Sequence, residues 1–303
     1  MELELVADGL RFPEGPVAMA DGSVILTELA RRTLTRITPD GRKELLCDVP
    51  GGPNGAAIGP DGAIYLANNG GAFIWQERDG LTFTGPPPAD HQGGSIQRFD
   101  LKTGALTDLY THCDGQRLVG PNDLVFDRHG GFWFTDHGIA TADGRRYGAL
   151  YYAKADGSYI SQQRSHMLSP NGIGLSPDQD VVYMADTLLA RLWAFDLAGP
   201  GKVASTKGAG PGRVICTLQG YQMLDSLAVE AGGKVCVATL INGGITAFDP
   251  DGSVEHLPAP DLMTTNICFG GADMRDAWIT ASSTGKLYKT RWPRPGLKLN
   301  FNA

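Results

Sequence analysis

The sequence predicts an all-β fold, a six-bladed β-propeller, and three observations carry that expectation. Glycine is in excess, a two-strand unit recurs six times, and nothing in the chain reads as a long helix. The 303 residues include 41 glycines, roughly twice the usual ~7 % share and without collagen-like spacing. Such a chain turns often and is built from many short strands.

The recurring unit is an oxygen-bearing side chain, a small residue, an apolar strand, a Gly/Asp turn and a second apolar strand. Its six copies are PEGPVAMADGSVILTE from Pro13, PNGAAIGPDGAIYLAN from Pro53, PNDLVFDRHGGFWFTD from Pro121, PNGIGLSPDQDVVYMAD from Pro170, LDSLAVEAGGKVCVAT from Leu224 and TNICFGGADMRDAWITA from Thr265. The key positions are Glu14, Asn54, Asn122, Asn171, Asp225 and Asn266, spaced by 40, 68, 49, 54 and 41 residues. A period of about 40–50 residues with several strands per unit describes a propeller blade. Period-two alternation and frequent Gly and Pro exclude a helical solenoid. One domain over residues 1–303 is expected, with the strand near Glu2–Val6 closing the last blade.

In a blade the innermost strand lines the central channel, so the six key residues converge on one mouth. The second strand returns there, bringing Glu28, Asn68, Asn69, Asp136, His137, Asp186 and Thr239 nearby. Turns such as those at Gly59 and Asp127 fall on the opposite face. Taken singly, an Asn or Asp before a strand reads as a turn cap. Six at one face, two of them carboxylates, favour a ligand or metal site instead. Hard oxygens select calcium or magnesium over zinc in a thiolate or imidazole cage.

The long second spacing reflects an insertion at about 69–95. It carries Phe73, Trp75 and Phe83, with Pro86, Pro87 and Pro88 to stiffen it, and reads as a lid or specificity wall over the mouth. The loop from His137, with Arg145 and Arg146, faces the same way.

Other classes are excluded on composition. A net charge of −7 with no basic run argues against nucleic acid. No stretch approaches the ~18 apolar residues of a membrane span. The five cysteines (Cys47, Cys113, Cys216, Cys236, Cys268) are scattered and lack a CxxC spacing. They read as free thiols in a reducing compartment. The N-terminus lacks signal-peptide features, so a cytoplasmic setting is expected.

FPEGP at Phe12, PNDLVFD followed by WFTD, SPNGIGLSPD, and TNICFGG together resemble the family of senescence marker protein-30, gluconolactonase and luciferin-regenerating enzyme, over nearly the whole chain. The resemblance implies a six-bladed propeller with one divalent metal. Calcium is expected first, with zinc, magnesium or manganese as alternatives, and most members hydrolyse lactones. Carried over, Glu14, Asn171 and Asp225 are metal ligands. Asn122 contacts substrate or a metal-bound water, and Asp225 is the general base, with His137 as a local alternative. Asn54, Asn122, Phe73, Trp75 and Arg146 are expected to contact a small-molecule lactone or ester.

Two departures stand out. Gly120 occupies a place where sugar-lactone members have Arg, and His137 one where proline is common. The first argues against a sugar-acid substrate, and the aromatic insertion favours a lactone less polar than a sugar lactone. The rivals are a non-catalytic binding propeller with a structural calcium, and a hydrolase of other esters or phosphotriesters. A GxSxG elbow is absent, which argues against a covalent serine mechanism. Oligomeric state leaves no trace in the sequence.

Overall fold

The computed structural model describes residues 2–142, 144–206 and 210–302. Six antiparallel sheets form the blades, and their inner strands are Pro13–Ala18, Pro53–Ile58, Pro121–Phe126, Pro170–Leu175, Met223–Val229 and Thr264–Gly270. Each inner strand packs against the next, and the sixth packs against the first, closing the ring. Closure is completed by chain-end pairing. Glu4–Ala7 adds as the outer strand of blade 6 beside Lys286–Arg291, so the last blade is built from both ends of the chain.

The blades are apolar on both faces because each is sandwiched between two others. Along Gly131–Asp136, Phe132 and Phe134 pack toward Tyr65 and Ile96 of blade 2, while Trp133 packs toward Val182 and Trp193 of blade 4. The same alternation gives one apolar core in each of the six junctions between blades. A run such as FWFT is therefore a strand buried on both sides rather than a half-exposed one.

All six inner strands carry a register irregularity at the same height. It falls between Glu14 and Val17, Pro53 and Ala56, Pro121 and Leu124, Pro170 and Ile173, Leu224 and Leu227, and Thr264 and Asn266. A bulge re-aims side chains and interrupts strict alternation, and here it coincides with every key polar position.

The C-terminal segment packs across the opposite end of the channel. Trp292 Nε1 and Arg294 Nε donate to Glu230 at 2.8 and 2.6 Å. Asn300 Nδ2 donates to Phe126 O at 2.9 Å, and the Phe301 ring meets Phe126 edge-on at 5.8 Å. Leu297, Leu299 and Asn302 line the floor of a central cavity of about 80 Å3 whose lining also includes Asp123 and Asn266. No helix among the described residues is long and apolar enough to cross a membrane.

Candidate active site

The key residues of all six inner strands are buried, from Glu14 at 2 % exposure to Asp225 at 9 %. Their convergence depends on small residues beside them. A Cβ at Gly55 would lie 2.4 Å from Asp123 Oδ1, and one at Gly172 would lie 2.6 Å from Ser226 Cα and 2.7 Å from Asp225 O. The glycine of each PNG segment thus lets neighbouring inner strands approach closely. Hydroxyls of second strands then tie one blade to the next. Thr27 Oγ1 donates to Asn54 O at 2.7 Å, Thr135 Oγ1 to Asn171 O at 2.5 Å, and Ser282 Oγ to Pro13 O at 2.5 Å.

Three buried carboxyls on inner strands feel one another's charge. Burial pushes Glu14 up to about 7, opposed by hydrogen bonds from Asn266, Thr265 and the Gly15 amide. Burial likewise raises Asp123 to about 8, and the charge of Glu14 adds to the rise. Asp225 stands well above the usual carboxylate range through burial, then the charges of Glu14 and Asp123, with an Asn171 hydrogen bond pulling it back. None of the three forms an ion pair with Lys, Arg or His among the described residues, and no cation is among the main influences on them. Around them, Asn266 Nδ2 donates to Glu14 Oε2 at 3.2 Å, and Asn171 Nδ2 donates to Thr187 Oγ1 at 3.0 Å. Asn122 Oδ1 is buried without a hydrogen-bond partner.

The structure therefore brings Glu14, Asn171 and Asp225 together, and adds Asp123, which the sequence reading passed over. Strict alternation allows only one of Asn122 and Asp123 to face the channel. The bulge brings both to it, and a carboxylate directly after a key Asn was the available signal. Among the described residues no group of three or more His, Cys, Asp or Glu side chains is arranged to hold a metal ion; the expected ligand set is two carboxylates and an amide. Buried carboxyls without a counter-charge, beside an orphaned amide oxygen, are donors of the kind a hard divalent cation takes.

The other expected site residues lie around this centre. Asn54 is buried on the blade-2 inner strand. His137 is half-buried and held neutral, its pKa lowered to about 4 by burial and then by Arg145. Arg145 Nη2 donates to His137 O at 2.6 Å and lies 3.3 Å from His137 Nδ1, while its Nε donates to Leu168 O at 2.5 Å. Arg145 thus spans blades 3 and 4, whereas Arg146 is exposed on the short hairpin of Ile139–Thr141 and Gly144–Arg146. Asp136 is a brace rather than a mouth ligand: its carboxylate accepts from the amides of Val119, Gly120 and Gly138. Asn68, Asp186 and Glu28 brace their own blades similarly.

The insertion forms a hairpin, Trp75–Arg78 with Leu81–Thr84. It reaches from blade 2 to blades 6 and 1. Thr82 N donates to Ser283 O at 2.9 Å, Arg11 pairs with Glu77 at 3.2 Å, and Trp75 lies 5.0 Å from the Phe12 ring. Phe73, Trp75 and Phe83 pack against a buried group of Phe12, Leu29, Leu240 and Met263. Phe73 and Trp75 therefore seat the hairpin on the propeller.

Comparison with known proteins agrees with this architecture. The chain is 25 % identical over 294 residues to the gluconolactonase of Zymomonas mobilis, covering 88 % of this chain and 76 % of that one. It is 28 % identical over 200 residues to the diisopropyl-fluorophosphatase of Loligo vulgaris, covering 61 % of each. A solved gluconolactonase from Xanthomonas campestris superposes with a TM-score of 0.75 at 24 % identity, over 96 % of this chain and 89 % of that one. Residues 12–283 match the SMP-30/Gluconolactonase/LRE-like region, and the chain belongs to that family.

Proposed function

We propose that this protein is a metal-dependent hydrolase that opens a lactone, with a substrate less polar than a sugar lactone. The observation that carries the reading is that Glu14, Asp123 and Asp225 are buried, feel one another's charge and form no ion pair among the described residues. Relatives named gluconolactonase and lactonase support the reaction class.

Glu14, Asn171 and Asp225 would hold one divalent ion, calcium first, with zinc, magnesium or manganese as alternatives. When bound, such an ion supplies Lewis-acid polarisation of an ester carbonyl. The chain's own residues supply the rest. Water adds to the ester carbon as its proton passes to an Asp225 oxygen, and that proton then goes to the ring oxygen as the C–O bond breaks, leaving a hydroxy acid. Asn122 and Asn54 orient the substrate without adding charge. His137 is neutral, and its Nδ1 faces Arg145. That arrangement suits a positioned hydrogen-bond donor better than a base. Phe73 and Trp75 give the mouth an apolar wall, and Arg146 is the exposed rim cation that a carboxylate product would meet. All five cysteines are free, which suits a cytoplasmic setting.

The fluorophosphatase relative supports a second reading, a phosphotriesterase using the same centre. Both are tested by assaying a panel of aliphatic, aromatic and sugar lactones with a phosphotriester, after chelation and after adding back each metal. Lactone opening that returns with metal and vanishes in Asp225→Ala supports the first reading. Turnover of the phosphotriester alone supports the second. Metal binding without any turnover would leave a binding propeller.

A further inference from the structure

Asn69 stands directly after the second strand of blade 2, Ile64–Asn68, and its side chain is fixed. Its Oδ1 accepts from the amides of Gly71 and Ala72, both at 3.0 Å. An amide flip would set its NH2 against two N–H donors, so the orientation is determined. Room for this amide is made by Gly52, where a Cβ would fall 2.0 Å from Asn69 Oδ1. Its backbone is held too: Asn69 N donates to Gly52 O at 2.9 Å, and the His91 ring meets Asn69 O at 2.8 Å.

With everything else about it satisfied, Asn69 Nδ2 is buried without a hydrogen-bond partner, in a residue only 3 % exposed. A rigid, desolvated, unpaired donor is costly and calls for an explanation. Its neighbour is Gly120. A Cβ built on Gly120 would lie 4.0 Å from Asn69 Cβ, 3.9 Å from Asp136 Oδ1 and 3.3 Å from Gly138 O. The space there is no larger than a single methyl or hydroxyl, with Gly138 O as its nearest wall. Two residues along is Asn122, whose Oδ1 is an orphaned acceptor.

We infer that Asn69 is a specificity-determining substrate-binding residue, whose Nδ2 donates to one uncharged oxygen substituent of the substrate beside Gly120. The inference rests on the lactone-hydrolase reading and adds a subsite to it. A hydroxyl suits the place best, because it accepts from an amide N–H and can donate to an amide oxygen such as that of Asn122. A carboxylate does not suit it, because the Asp136 carboxyl stands alongside. The substrate is then apolar over most of its surface with one polar handle.

The test compares γ-butyrolactone with α-hydroxy-γ-butyrolactone in the metal-loaded wild type and in Asn69→Asp. Aspartate keeps an oxygen to accept from Gly71 and Ala72 but cannot donate. The expected result is a roughly tenfold fall in the kcat/KM ratio of hydroxylated to parent lactone, expressed in KM, with Tm within a few degrees of wild type. Asn69→Ser serves as the second variant should the aspartate disturb folding, and the same loss of ratio is expected. An unchanged ratio, or equal losses on both lactones, overturns the inference.

If wild type opens neither lactone, the hydrolase reading fails, and binding still decides the role of Asn69. Its side-chain 15N amide signal, identified by its loss in Asn69→Asp, should shift on adding the hydroxylated lactone and not the parent. No shift means that the donor merely holds water, which also overturns the inference.

Discussion

Asn266 Nδ2 donates to Glu14 Oε2 at 3.2 Å across 252 residues of sequence, so the last blade steadies the first carboxyl of the centre where the ring closes. A hydrogen bond to a charged group contributes about 1.5–3 kcal/mol. Asn266→Ala should therefore weaken calcium binding at neutral pH by roughly tenfold. Calorimetric titration checks this, and an unchanged affinity would show that Glu14 is not a ligand.

Gly172 lets blades 4 and 5 touch backbone to backbone. In Gly172→Ala the new methyl meets Ser226 Cα and Asp225 O at 2.6 and 2.7 Å, neither of which is a flexible side-chain end. Overpacking of this kind costs about 2–3 kcal/mol, or roughly 5 °C in Tm. Metal affinity should fall with it, since Asn171 and Asp225 flank the contact. Thermal melting with and without metal gives both numbers.

The metal-free protein should lose stability as pH rises. Glu14 at about 7 and Asp123 at about 8 are raised above ordinary carboxyl values, so the folded state holds their protons after the unfolded chain has released them. That contribution is complete at acid pH and is lost as pH climbs through 7 and 8. His137, lowered to about 4, acts in the opposite sense between pH 4 and 6.5, which leaves pH 6.5–8.5 to the carboxyls. Melting in chelator across that window should show a falling Tm, and calcium should flatten the fall. A rising Tm in chelator would contradict the assignment.

Among the contacts that hold the hairpin, magnitude decides between an ion pair and a ring contact. The Arg11–Glu77 pair has side chains 52 % and 51 % exposed, so it is worth well under about 1 kcal/mol. The Trp75–Phe12 contact joins a buried apolar group and contributes more. Trp75→Ala should speed tryptic cleavage after Arg78 by roughly tenfold, while Arg11→Ala should change it little. Equal effects would mean that the ion pair holds the hairpin.

Much of this was legible in the sequence because the repeat is chemical as well as structural. Glu14, Asn171 and Asp225 recur in register, and a fixed register in six strands leaves only one place for them to meet. Asp123 escaped because alternation was assumed where a bulge breaks it. Asn69 was expected near the mouth, but its unpaired hydrogen-bond donor is revealed only by the positions of Gly71 and Ala72. The insertion was legible in the repeat spacing, but its landing place on Phe12 and Ser283 was not, since nothing local encodes which blade a long insertion will reach. Arg145 and Arg146 are adjacent in sequence and opposite in environment for a similar reason: their hairpin lies against blade 4.

The C-terminal segment, with Leu297, Leu299 and Asn302 beneath the channel, narrows this propeller at the end away from the key residues. Under the hydrolase reading, arriving substrate and departing product then share the opening beside the key residues, and the hairpin seated on Phe12 lies on that side.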